Sequence, residues 1–117
     1  MSFQQALSGL NAASRSLDVI GHNIANAGTT GMKSSRAEFA EIYASSAGAI
    51  GGTNVGLGVG VADVSQQFSQ GSLSITGNDL DVAINGGGFS QVKAPDGSTA
   101  YTRAGNLQVN PEGQMVT

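Results

Sequence analysis

Large apolar side chains recur at helical spacing through the first two dozen residues: Phe3, Leu7, Leu10, Leu17, Ile20 and Ile24, with Ala6, Ala13 and Ala27 beside them. Steps of three, four and seven set them along one side of an α-helix, with a repeat close to that of a coiled coil. The pattern predicts a helix from about Ser2 to Asn26, roughly 35 Å long at the standard rise. Ser2 is the expected N-cap, with Gln5 three positions on, and Asn26-Ala27-Gly28-Thr29-Thr30-Gly31 is the expected stop. Such a helix is marginal alone, because fixing its backbone costs more than local hydrogen bonds return. No later segment matches it in length and periodicity, so the seam needs a cover from elsewhere. That points to assembly.

Composition removes several other functions. The 117 residues hold one modest domain plus an extension. Charged residues make up 11%, well under the usual level, and Gly, Ser, Asn, Gln and Thr take their place. A net charge of -3 with scattered Lys and Arg provides no basic patch, so no nucleic acid is expected as a partner. Without cysteine there is no disulfide, thiol catalysis or cysteine metal site. The N-terminus lacks a basic region, a continuous apolar core and a small-residue cleavage site, so no cleaved signal is expected. No apolar run is long enough for membrane insertion. The polar face of the helix carries Ser, Gln and Asn rather than Lys and Arg, which argues against an anionic lipid surface.

The expected fold class is α+β: a long amphipathic helix, a Gly-rich linker and a mainly antiparallel β region. Residues 1–27 form the helical zone and 28–61 the linker. In the linker, Ala37, Phe39, Ala40, Ile42 and Tyr43 suggest a short helix between Ser35 and Ser46. Val55, Leu57, Val59 and Val61 then alternate with Gly56, Gly58 and Gly60, a strand period with one face almost bare. A bare face lets another backbone approach closely. Gly28, Gly31, Gly56, Gly58 and Gly60 are the expected hinge positions.

Residues 62–117 read as β throughout, with Val64, Phe68, Leu73, Ile75, Val82, Ile84, Phe89, Val92, Tyr101, Leu107, Val109 and Val116 in short runs. Turn chemistry separates the runs. Pro95-Asp96-Gly97 predicts a hairpin turn with a left-handed glycine, Asn110-Pro111-Glu112-Gly113 a type I turn, and Asn85 to Gly88 a tight bend. The chain stops on what reads as the return strand of a hairpin, so the β domain is expected to be incomplete.

Candidate chemistry is sparse. His22, the single histidine, has no partners at metal-ligand or catalytic spacing and suits hydrogen bonding near the helix C-terminus. Asp79 and Asp81 on one strand face, with Asp96 in a nearby turn, lack the ligand density of a calcium loop and read as solvated carboxylates. The runs Gly56 to Gly60 and Gly86-Gly87-Gly88 have neither the Gly-Lys-Ser/Thr nor the following helix of a phosphate loop. Arg103 is expected to hydrogen-bond a neighbouring strand or loop. No nucleophile, base and orienting group can be assembled, so no catalytic, cofactor or metal site is expected.

Specific strings then matter. Ser8-Gly9-Leu10-Asn11-Ala12-Ala13, Leu17-Asp18-Val19-Ile20-Gly21-His22-Asn23-Ile24-Ala25-Asn26 and Thr29-Thr30-Gly31-Met32-Lys33 resemble the N-terminal signature of bacterial flagellar rod and hook proteins. Leu80-Asp81-Val82-Ala83-Ile84-Asn85-Gly86-Gly87-Gly88-Phe89 and Tyr101-Thr102-Arg103-Ala104-Gly105-Asn106 agree, in the family's order. His22, Gly28, Met32 and Ser90 depart from the residues common there. Val55 to Gly71 runs into the β block as in hook-type members, without the insertion of distal-rod members.

The resemblance implies a structural subunit, not an enzyme. It implies a homo-oligomeric, curved, hollow helical polymer that couples rod to filament and transmits torque as a universal joint. Implied partners are other hook subunits, rod and hook–filament junction proteins, the hook cap and the flagellar export apparatus. The implied location is the extracellular flagellum, reached without a cleaved signal peptide. Phe3, Leu7, Leu10, Leu17, Ile20 and Ile24 are the expected subunit interface. A rod subunit is the alternative within the family; a secreted binding module anchored by its helix is the alternative outside it.

Overall fold

The computed structural model describes residues 2–43 and 56–117, with the Ser2 side chain set aside. Helix α1 spans Ser2–Ala25, and six strands follow: β1 Ser35–Ile42, β2 Gly58–Gln66, β3 Ser90–Lys93, β4 Thr99–Thr102, β5 Gln108–Val109 and β6 Met115–Val116. The strands form three antiparallel two-stranded ribbons, β1–β2, β3–β4 and β5–β6. The class is α+β, with the long N-terminal helix read from the apolar spacing. The Ser2 cap, the strand start at Val55 and the segment from Ala44 to Ser46 lie outside the described residues.

The chain divides into two compact units: residues 1–25 with 34–67, and residues 26–33 with 68–117. In the first, α1 packs on the β1–β2 ribbon. The short helix expected between Ser35 and Ser46 is instead strand β1. Arg36 and Glu38 alternate with Ala37 and Phe39, which is a period of two, and β2 supplies the ladder. One isolated turn or two of helix could not compete with that pairing. Residues 58–61, placed in the linker and read there as a strand period, open strand β2.

The ribbon register shifts between Glu38 and Phe39: Glu38 pairs with Asp63 but Phe39 with Val61, leaving Ala62 as a bulge. Close to the bulge, Arg36 Nη2 donates to Glu38 Oε1 at 2.7 Å and Ser65 Oγ donates to the same oxygen at 3.0 Å. The Arg36 hydrogen bond, then that of Ser65, holds the Glu38 carboxyl below its usual range. The group is exposed, so this records geometry rather than stability.

The second unit opens with the turn that follows α1, where Thr29 N donates to Asn26 O and Met32 N to Thr29 O. Gly31 there has φ +76°, and a Cβ on it would stand 2.5 Å from Ala104 N, so only glycine fits. Both predicted hairpin turns form. Gly97 N donates to Ala94 O at 2.9 Å and Gly113 N to Asn110 O at 3.0 Å, each glycine having positive φ.

Leu73 and Ile75, expected in a strand, lie in residues 67–78, which carry no ladder. Alternation alone makes no strand without a neighbour to bond. Around them, Val82 N donates to Gly105 O and Leu107 N to Leu80 O, and the Phe68 and Phe89 rings meet edge to face at 5.7 Å.

Candidate assembly surface

Helix α1 presents two distinct faces. Its partly covered residues are Gln5, Ser8, Gly9, Ala12, Ser16, Val19 and Asn23, again a stripe at steps of three and four. At 3.6 residues per turn this stripe is centred about 140° from the large apolar one. The helix therefore rests on its own ribbon through small and polar side chains, with Val19 the one larger apolar residue among them.

Two polar latches hold it there. Near the N-terminus, Gln5 Nε2 donates to Gly56 O at 2.5 Å, and Val59 N donates to Ser8 Oγ at 3.3 Å. Near the C-terminus, Asn23 Nδ2 donates to Ser35 O at 2.7 Å while Ser35 N donates to Asn23 Oδ1 at 2.9 Å. The Asn23 amide thus bonds the first residue of β1 as a neighbouring strand would.

The large apolar side chains face away from this contact. Phe3, Leu7, Leu10, Leu17, Ile20 and Ile24 are between 47% and 78% exposed. Among the described residues none is fully buried in either unit. A folded chain normally hides most of its large aliphatic groups. At about 25 cal/mol per Å², an apolar seam left in water is a candidate surface for contact with a partner.

The glycines expected as hinges are used differently from one another. Gly58, at φ +134°, opens β2, and a Cβ there would run into the Ser8 side chain. A Cβ on Gly56 would meet the Glu41 carboxylate, and one on Gly60 the Ile42 side chain at 3.3 Å. Of these three, a Cβ on Gly58 alone would meet the helix, while those on Gly56 and Gly60 would meet side chains of β1, and Gly31 is locked against Ala104. Gly28 alone of the five has open space around it.

Sequence reasoning gave little weight to Arg103, which organises the second unit. Its Nη2 donates to Gln70 Oε1 at 2.5 Å, Ile84 O at 3.0 Å and Gly86 O at 2.5 Å, and its Nη1 to Gly88 O. One guanidinium fork thus gathers the glycine bend at 86–88, where Gly86 and Gly88 have positive φ. A groove of about 860 Å³ in this unit is bordered by Lys33, Asp81 and Arg103. Each spends hydrogen bonds on the wall itself: Lys33 Nζ on Ser69 O, and Asp81 as acceptor from Thr76 Oγ1 and Asn78 Nδ2.

Asp79 lies in a turn and Asp96 accepts from Ser98 N and Oγ, so the three aspartates weighed for calcium are not brought together. Hydrogen bonds from Ser98 hold the Asp96 carboxyl below its usual range. Among the described residues no three His, Cys, Asp or Glu side chains cluster, and no helix is long and apolar enough to cross a membrane. His22 stands in the last turn of α1.

Residues 3–33 match the family model described as flagella basal body rod protein, and residues 83–117 that of the flagellar hook protein FlgE/F/G D1 domain. The chain is 47% identical over 116 residues to the flagellar hook protein FlgE of Salmonella typhimurium, covering 99% of this chain and 27% of that protein. It is 46% identical over 116 residues to FlgE of Escherichia coli K12. Against the flagellar basal-body rod protein FlgG of Agrobacterium fabrum it is 44% identical over 124 residues, covering 96% of this chain and 47% of that protein. The chain thus spans about a quarter of the hook relatives and just under half of the rod relative. An N-terminal rod signature, a hook-type β segment in the same order and likeness along nearly its whole length place the chain in the flagellar rod and hook protein family.

Proposed function

We propose that this chain is the N-terminal part of a flagellar hook subunit, which self-assembles into a curved hollow tube coupling rod to filament. The observation that carries the reading is the open apolar seam of α1, turned away from the ribbon on which the helix is seated. Terminal helices of the same or adjacent subunits cover it, and the subunit works by packing rather than by catalysis. Its partners are other hook subunits, rod and hook–filament junction proteins, the hook cap and the flagellar export apparatus. It travels to the flagellum through that apparatus without a cleaved signal. Gly28, with no neighbour to obstruct it, is the position at which the chain after α1 can bend.

A rod subunit is the second reading, supported by the likeness to FlgG. Alignment with that protein runs to 124 residues, longer than the 117 of this chain, so the rod relative holds residues lacking here. The hook alignments need no such extension. Electron microscopy of the full-length protein under assembly conditions tests the choice. Curved tubes are expected; straight rods would favour the second reading, and monodisperse particles would contradict both.

A further inference from the structure

Asn85 precedes Gly86 in the bend that Arg103 gathers, and it is the one asparagine of the chain followed by glycine. Residues 83–89 carry no ladder, Asn85 is exposed, and its side-chain amide has no hydrogen-bond partner among the described residues. The Gly86 N–H likewise donates to no group among them, and a Cβ on Gly86 would meet nothing within 4 Å. Arg103 holds the carbonyls of Ile84, Gly86 and Gly88 but neither the Asn85 amide nor the Gly86 nitrogen. An amide carbon and the next backbone nitrogen are thus both unengaged, with no side chain on Gly86 to keep them apart. Comparable positions are held. In Asp96–Gly97, Gly97 N is spent on Ala94 O and the Asp96 carboxylate accepts from Ser98 N and Oγ. Asn110 precedes Pro111, which has no N–H, and its Oδ1 accepts from Glu112 N and Gln114 N. Asn78 donates to Asp81, Asn23 is latched to Ser35, and Asn106 precedes the bulky Leu107, whose N donates to Leu80 O.

We propose that Asn85–Gly86 is a site of spontaneous covalent modification, at which the asparagine becomes aspartate and isoaspartate through a cyclic imide. The Gly86 nitrogen gives its proton to water and attacks Cγ of Asn85. As the new N–Cγ bond closes the ring, the Cγ–Nδ2 bond breaks, and Nδ2 takes a proton from water and leaves as ammonia. A water molecule then adds to either ring carbonyl and opens the imide, to aspartate or to isoaspartate. The balance is one water consumed and one ammonia released, with nothing oxidised or reduced. Either product adds a negative charge. In isoaspartate the chain runs through Cβ and Cγ, which puts an extra backbone atom between residues 85 and 86. The carbonyls of Ile84 and Gly86 then no longer both meet one planar guanidinium fork, so the reaction loosens the bend that Arg103 holds.

Incubation of the folded full-length protein in mildly alkaline buffer tests it, with peptides mapped by mass spectrometry and isoaspartate detected by enzymatic methylation of its carboxylate. Amide-to-acid conversion is expected at Asn85 at least about tenfold faster than at Asn23, Asn78, Asn106 or Asn110, with isoaspartate among the products. Asn85→Gln is expected to lose the acid product at that position, since the longer side chain closes a larger and slower-forming ring. The isoaspartyl fraction, separated by its added charge, is expected to exchange the Val82 and Leu107 amides faster than unreacted protein. An Asn85 amide that stays intact throughout, or that outlasts any of the other asparagines named, would overturn the proposal. Acid formed at Asn85 without isoaspartate would also overturn it, because direct hydrolysis by water yields aspartate alone. Unchanged exchange in the isoaspartyl fraction would overturn the loosening of the Arg103 bend.

Discussion

Leu17→Asp is expected to abolish polymerisation of the full-length protein while leaving α1 seated on its ribbon. Leu17 sits on the exposed seam, and the seating contact uses the Gln5–Ser8–Asn23 side of the helix. Losing the buried leucine costs roughly 1.5–3 kcal/mol per contact, and desolvating a carboxylate adds several more. At 1.4 kcal/mol per factor of ten, the critical concentration rises by at least about a hundredfold. Sedimentation across a concentration series reads this, and hydrogen exchange at Ser35 reports whether the helix stays in place. A variant that assembles at wild-type concentration would show that the seam is not the interface.

Arg103→Met is expected to loosen the second unit by about 2 kcal/mol, allowing for the partial exposure of its hydrogen bonds. The guanidinium ties Gln70 to the carbonyls of Ile84, Gly86 and Gly88, and no fully buried side chain among the described residues of that unit can compensate. Hydrogen exchange at Val82 and Leu107, whose amides donate to Gly105 O and Leu80 O, is the readout. Arg103→Lys is expected to recover only part of the protection, since an ammonium lacks the planar fork. Unchanged protection at Val82 and Leu107 in Arg103→Met would mean that the bend is held by other means.

What the sequence disclosed follows from how local each signal is. Six large apolar residues at helical steps define α1, because the period lies within the segment. The turns at Ala94–Gly97 and Asn110–Gly113 are legible because Pro, Asp, Asn and Gly specify them within four residues. Strand β1 was obscured because its apolar residues crowd together and its ladder partner, β2, begins sixteen positions after β1 ends. Leu73 and Ile75 mislead in the opposite direction, having the alternation but no ladder.

The seating face of α1 was hidden for a different reason. Small and polar residues carry little hydrophobic signal, although Ser8, Gly9, Ala12 and Ser16 do recur at helical steps. Asn23 and Arg103 act through backbone carbonyls and amides, which have no residue code to search for. The seam itself was readable; only the structure gives its direction, away from the ribbon and into solvent.

A density map of the assembled full-length polymer at side-chain resolution tests the central claim most directly. The expected result places Phe3, Leu10, Leu17 and Ile24 in close contact with helices of the same or adjacent subunits, with α1 still latched to its ribbon through Asn23 and Ser35. A map in which those four side chains face an open aqueous channel, or fold back onto the β1–β2 ribbon of their own subunit, would contradict it.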